Sequence, residues 1–389
     1  MVEGLVADRQ ARRAELALGR LRRGLGSSLP AGPVVLTSPA AVAWVTGGGL
    51  PPVDRTSTVD PVWAVVDEAG AVLITSEVEA DRVREDLLVH LVGFDLVAVP
   101  WYEPTAMIIE AERYTSRPAG ALPSDGHPGF GLDVREELTA LRLVLSAPEQ
   151  DELVDLGSLA ADALQRALTA WRPGERDLDI QARIAHGLES VGAEAPVLIV
   201  GVDDRVSRYR HPMAIGARGS RLVMGVVVAR RAGLHVATTR MAAHGRLSEH
   251  LRRDLQLVRG IEQEVLRACR PGATYGSVLA TLAGAYRTAG HDGAWRQHYQ
   301  GGPIGYAQRE FEIAPEDRTS RWASLLVAPG VGVAWNPSLP QGAKVEDTYL
   351  VEAAGLRLVS SAPGWPAEPG YDDEGTYPGV LDITTGTAA

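Results

Sequence analysis

The strongest constraint on this chain is a pattern that occurs twice. A helical stretch ends in Trp171-Arg172-Pro173-Gly174, and a second helical pattern then runs to about Gly192. Ninety-eight residues later another helical pattern ends in Cys269-Arg270-Pro271-Gly272, and its successor runs to Gly290. At that offset Ile180 falls on Val278, Ala182 on Ala280, Ile184 on Leu282 and Gly192 on Gly290. Each helical pair precedes a stretch rich in short apolar runs, 196–241 and then 294–361. Two ααββ units of this kind predict two sheet halves around a shared cleft, with helices outside.

The residues ahead of the repeat read differently. Residues 33–99 alternate strand and helix patterns: Val34–Leu36, Val62–Val66 and Ala71–Thr75 as strands, and Glu77–Leu88 as a helix. The stretch 100–127, with Pro104, Pro118, Pro123 and Gly126, reads as a crossover. The expected organisation is a small α/β domain with its crossover over 1–127, then a larger domain over 128–389.

Charge and cysteine content narrow the function classes. A net charge of −11 without a Lys/Arg block argues against a nucleic-acid surface. One cysteine, Cys269, excludes an internal disulfide framework and a cysteine-based zinc cage. The apolar runs Val197–Val202 and Leu222–Ala229 suit buried strands and are too short to span a membrane. The arginine-bearing N-terminal helix lacks the apolar core of a secretory leader, so a cytoplasmic protein is expected. Among the 38 basic residues the only lysine is Lys344. Ammonium and guanidinium differ in hydration and geometry, which makes Lys344 a candidate functional residue.

Several short motifs follow in order: Tyr209-Arg210-His211-Pro212, Gly233 through Thr239-Arg240, His298-Tyr299-Gln300-Gly301-Gly302-Pro303-Ile304-Gly305-Tyr306, Arg309-Glu310, Trp335-Asn336-Pro337 and Glu346-Asp347-Thr348. In this order and spacing the chain resembles the pita-bread superfamily of methionine aminopeptidases, Xaa-Pro peptidases and creatinase. Within it, the valine-rich, Gln-Gly-Gly and Trp-Asn-Pro pattern is similar to a bacterial branch of Xaa-Pro peptidase-like proteins. The resemblance implies a mixed α/β (α+β) fold, with a creatinase-type N-terminal domain followed by a pseudo-twofold pita-bread domain.

The metallopeptidases of this superfamily hold two divalent ions through two Asp, one His and two Glu. The resemblance puts those five positions on Val226, Ala237, Gly302, Asn336 and Glu346. One carboxylate and one amide cannot hold two dications, whose ligands must be plural and mostly anionic. No metal and no other cofactor is therefore expected. In the same comparison His211 takes the position of the superfamily's proton-transferring His, and Glu310 that of the Glu in a His-Glu pair, with Arg309 replacing the His. His298 reads either as a cleft residue or as a hydrogen-bonded sheet histidine.

Strand alternation sends residues 344 and 346 to one face, so Lys344 shares the cleft with Glu346 if the latter faces it. The expected catalytic set is His211, Glu310, Glu346 and His298. Tyr306, Arg309, Asn336, Lys344, Arg240 and Arg55 are the expected substrate-binding residues. Such a set suits metal-free proton transfer on a small amino-acid-derived substrate, with hydrolysis of a C–N bond first and elimination or isomerisation open to the same groups. Two other readings stay open: an Xaa-Pro aminopeptidase or dipeptidase with a rearranged metal site drawing on His235, His244 and His298, and a non-catalytic binding scaffold. Family members of this size dimerise, which makes Trp44, Gly47-Gly48-Gly49, Arg55 and Asp60 candidates for a lid over a partner's cleft.

Overall fold

Between Val34 and Val99 the β-branched runs become strands, because such side chains pack well on a pleated surface. The computed structural model describes residues 2–317, 319–369 and 376–388. It divides into two compact units: Met1–Glu149 with Ala232–Leu234, and Gln150–Arg231 with His235–Ala389.

The first unit begins with α1 (Val2–Gly24), β1 (Val34–Leu36), α2 (Pro39–Val45), β2 (Val62–Val66), β3 (Ala71–Ser76), α3 (Ala80–Asp86) and β4 (Phe94–Val99). It continues with α4 (Ala106–Thr115), β5 (Pro123–Ser124), β6 (Leu132–Asp133) and α5 (Arg135–Arg142). Its strands form one sheet in the order β4-β3-β2-β1-β5-β6. The three strands read from sequence are present, whereas the helix expected from Glu77 to Leu88 is confined to α3. Residues 100–127 carry α4, and β5 pairs in parallel with β1. The Asp125 carboxylate then accepts the Thr37 and Ser38 N–H groups at 2.7–3.1 Å, just ahead of α2. Ser38 caps α2 and Pro39 opens it, a pairing that suits a helix start.

Two lid candidates are tied into this unit. Trp44 is fully buried. The space around Gly47 is closed by the Gln10 carbonyl, 2.2 Å from where a Cβ would stand, at a φ of +70°. Its role is to let α1 and the end of α2 approach closely.

The second unit contains α6 (Ala147–Thr169, entering from the first unit), α7 (Asp177–Glu189), β7 (Glu194–Val202), α8 (Asp204–Arg208), β8 (Leu222–Arg231) and β9 (Leu234–Ala243). There follow α9 (Glu249–Ala268), α10 (Tyr275–Thr288), β10 (Gly301–Ile304), β11 (Gly332–Trp335), β12 (Asp347–Glu352) and β13 (Gly355–Leu358). Short strands close the described chain: β14 (Ala367–Pro369), β15 (Thr376–Pro378), β16 (Leu381–Asp382) and β17 (Thr387–Ala388).

The repeat is visible here in detail. Ile180, Ile184 and Leu188 on α7, and Val278, Leu282 and Tyr286 on α10, are all fully buried at four-residue spacing. Gly174 N–H bonds to the Gly219 carbonyl, and its counterpart Gly272 N–H bonds to the Val327 carbonyl. β7, β8 and β9 of the first copy join the C-terminal β16 and β17 in a sheet ordered β17-β16-β9-β8-β7, and the second copy builds a sheet ordered β10-β11-β12-β13. Between β9 and the β12 region, Ala237 N–H donates to Thr348 Oγ1 at 2.8 Å and Thr239 N–H to the Glu346 carbonyl at 2.9 Å. These bonds tie the two sheets together. The cleft predicted from the repeat lies where they meet.

Candidate active site

A cavity of about 170 Å³ opens between the two sheets. One wall is apolar: Val197 and Ile199 of β7, Val226 and Val228 of β8, and Ala237 of β9. The second sheet supplies Gly301, Gly302, Pro303 and Ala334. Polar groups enter from connecting segments: His211, Tyr299, Gln308, Arg309, Asn336, Lys344 and Glu346. All five positions that the resemblance assigns to metal ligands (Val226, Ala237, Gly302, Asn336 and Glu346) line this one cavity.

Their chemistry does not suit a pair of metal ions. Val226 and Ala237 are buried and carry no donor. At Gly302, with φ +150°, a Cβ would stand 2.9 Å from Tyr299 Oη, so the tyrosine ring occupies the place a ligand side chain would need. Both oxygens of Glu346 already have protein partners. Thr239 Oγ1 donates to Oε2 at 2.8 Å, Asn336 Nδ2 donates to Oε1 at 3.2 Å, and Lys344 Nζ lies 3.7 Å from Oε2. The ammonium and the carboxylate are both largely buried, so their attraction is poorly screened. Among the described residues, no group of three or more His, Cys, Asp or Glu is arranged to hold a metal ion. The imidazoles a rearranged site would draw on do not line the cavity either. His235 is buried against the Gly305 carbonyl, and His244 is exposed elsewhere.

His211 stands exposed at the cavity rim. Partial desolvation, followed by the nearby Lys344 ammonium, holds its pKa below the ordinary imidazole value, and Glu346 opposes them. It is therefore neutral at neutral pH and able to accept a proton. Asn336 Oδ1 is buried without a hydrogen-bond donor from the protein and can accept one from a ligand. Arg309 lies over the Tyr299 ring, 4.4 Å from its centroid, and pairs with Glu312 on the surface.

The other candidates sit apart from the cavity. His298 is enclosed: its Nδ1 contacts the Tyr299 carbonyl at 2.6 Å and its Nε2 lies 2.7 Å from Ser338 Oγ. Burial drives its pKa down to about 4, so it remains a neutral structural group. Glu310 is buried and accepts the Ala307 N–H at 3.1 Å, closing the turn after β10. Tyr306 is buried as well. Arg240 forks onto Asp347 with bonds of 2.9 and 3.1 Å, and donates to the Ser360 carbonyl at 2.7 Å. Its side chain is 1% exposed and does not line the cavity. Arg55 belongs to the first unit and does not line the cavity.

Sequence reasoning missed Tyr299 as the filler of the ligand pocket, although the Tyr299-to-Gly302 spacing was available. It also missed Glu262 of α9, fully enclosed behind Lys344–Asp347, whose pKa is raised to about 8 by burial and by Asp347. A lone Glu on an amphipathic helix carries no sequence signal of that environment.

Comparison with known proteins gives the family and the fold. The description of metallopeptidase family M24 matches residues 151–353, more than half of the chain. The chain belongs to this family. It is 24% identical to an uncharacterized peptidase, YqhT, of Bacillus subtilis (strain 168) over 242 residues, 60% of this chain and 66% of that protein. An Xaa-Pro dipeptidase from Bacillus anthracis shares the fold at a TM-score of 0.70 and 16% identity, over 90% of this chain and 98% of that one. A prolidase from Pyrococcus furiosus does so at 0.65 and 18%, over 85% and 96%. So does the N-terminal domain of FACT complex subunit SPT16 from Eremothecium gossypii, at 0.62 and 13%, over 90% and 96%. Among the described residues, no helix is long and apolar enough to cross a membrane.

Proposed function

We propose that this chain is a metal-independent, creatinase-like member of family M24 that cleaves a C–N bond of a small amino-acid-derived substrate by acid–base catalysis. The observation that carries the reading is the Lys344–Glu346 pair, which puts a fixed ammonium among the five family ligand positions. Membership of a peptidase family, and the dipeptidase and prolidase folds it resembles, support a hydrolase.

In the proposed step His211 takes a proton from water, whose oxygen attacks the carbon of the C–N bond. Negative charge develops on the substrate's oxygen or nitrogen, where Lys344 Nζ stabilises it in a partly desolvated cavity. The C–N bond then breaks, and the imidazolium returns the proton to the departing nitrogen. The water proton thus ends on the amine, and its hydroxyl on the new acid or carbonyl carbon. Glu346 holds Lys344 in place and balances its charge. The same base could instead remove an acidic C–H proton, giving elimination or isomerisation from one constellation.

A scaffold reading gains support from the likeness to the SPT16 domain. Against it stands the buried Lys344–Glu346 pair, whose desolvation is costly and without benefit in a site that binds nothing. The test is a turnover screen of dipeptides, N-acyl amino acids and guanidino acids with chelator present, run on the full chain and on His211→Ala. Turnover that needs His211 supports the reading. Turnover only on adding a divalent ion, or none by either protein across the panel, counts against it.

A further inference from the structure

A second cavity, also of about 170 Å³, lies beside the first and shares Lys344 with it. Consecutive residues of one loop separate the two: His211 lines the first chamber and Arg210 the second. The second chamber is lined by Arg208, Arg210 and Lys344 together with neutral side chains such as Gln297, Ser338 and Gln341, and by no Asp or Glu. In a chain with a net charge of −11, three cations facing one cavity without an acid is a marked local imbalance.

The state of each cation sharpens the point. Lys344 is matched by Glu346. Arg210 is not matched: its half-buried guanidinium donates to Ser338 Oγ and Gln297 Oε1, both uncharged. Burial pulls its pKa below the ordinary guanidinium value, with no carboxylate acting to restore it. Guanidinium stays charged in proteins, so this cation bears its desolvation without a carboxylate partner among the described residues. Neutral partners fix the plane of the fork and leave its charge available. That arrangement suits a planar oxyanion.

We propose that the second chamber is an oxyanion subsite, and that it holds the carboxylate of a substrate whose reacting bond lies in the His211 chamber. The choice of carboxylate over other oxyanions rests on the amino-acid-derived substrate class proposed above; the oxyanion site itself rests on the chamber alone. Lys344, at the junction, faces both ends of such a substrate. Substrates with a free carboxylate a few bonds from the scissile C–N bond are accepted, and their amides are rejected.

The test is calorimetric titration of the full-chain protein at fixed ionic strength with glutarate, its neutral diamide glutaramide, and inorganic phosphate. Glutarate binding should exceed glutaramide binding by about tenfold or more, the usual scale for losing a charge-assisted contact. Arg210→Gln should weaken glutarate by about tenfold, and Arg208→Gln at the exposed rim by less. Glutarate binding is read without turnover, so a failure of the acid–base reading would show in the substrate screen and not here. Circular dichroism of each variant checks folding, and Arg208→Gln keeps the test decisive if Arg210→Gln does not fold. No measurable glutarate binding, or equal binding to wild type and both arginine variants, overturns the subsite. Phosphate binding more tightly than glutarate through Arg210 overturns the carboxylate assignment.

Discussion

Lys344→Met removes the cation and leaves Glu346 as a charge only 7% exposed. At 3.7 Å the pair attracts by about 4 kcal/mol at an effective dielectric of about 20. Breaking a buried pair by deleting one partner costs about 3–5 kcal/mol. Thr239 and Asn336 still donate to the carboxylate, which favours the lower end, about 3 kcal/mol. The double variant Lys344→Met/Glu346→Gln has no lone charge to bury and should recover about 2 kcal/mol of that loss. Urea unfolding at neutral pH, followed by tryptophan fluorescence, reads these differences as midpoint shifts at constant slope. A second readout needs no unfolding: Lys344 is one of the groups that depress the His211 pKa, so its removal should move the acid limb of activity to higher pH. Equal stability of wild type, single and double variants, with the acid limb unmoved, would refute the coupling of Lys344 to both partners.

Three further outcomes follow from the same geometry. His211→Ala should fold normally and lose about two to four orders of magnitude in kcat; in wild type, activity should fall on acidification with an apparent pKa below the usual 6.5, as the base takes up its proton. His298, at about 4 in the folded chain against 6.5 unfolded, stays neutral while the unfolded chain binds a proton, so stability should fall by about 3 kcal/mol as pH drops from 6.5 to 4. Urea midpoints across that window should show a shallower fall in His298→Gln. Glu262 has the opposite sign: its raised value keeps the proton on the folded chain, so wild type should lose stability relative to Glu262→Gln as pH rises from 4.5 to about 8, by about 3 kcal/mol at pH 7. Paired melts of the two proteins at pH 4.5 and pH 8 measure it.

The second unit was legible because its repeat couples chain order to sheet order. The glycines after each helix pair, and the buried faces of α7 and α10, recur at the same offset as the sequence pattern. In the first unit β1, β2 and β3 were legible from their β-branched runs, whereas β4 was not read. The segment 100–127 was harder, because its prolines mask α4 and the two-residue strand β5, whose place is fixed only by pairing with distant β1. At the site, His211, Arg309, Asn336, Lys344 and Glu346 line one cavity. Lys344 and Glu346 do so from the segment ahead of β12, so they are not the alternating strand residues that the sequence reading expected. His298, Glu310, Tyr306 and Arg240 do not line that cavity. Each has a buried polar partner or packing environment that no local pattern reports, most clearly the Arg240–Asp347 fork across 107 residues. The second chamber was unreadable for a related reason: Arg210 looked like a neighbour of His211, and its uncharged partners Ser338 and Gln297 are brought to it only by the fold.

Metal independence is tested most directly by measuring metal content and turnover on the same sample. The purified full chain, analysed by plasma mass spectrometry, should carry well under one divalent ion per chain. Its kcat on the substrate found in the screen should stay constant after exhaustive chelation, and after adding back zinc, manganese or cobalt. Two tightly bound ions per chain, with turnover lost on chelation and restored by one of those metals, would contradict it.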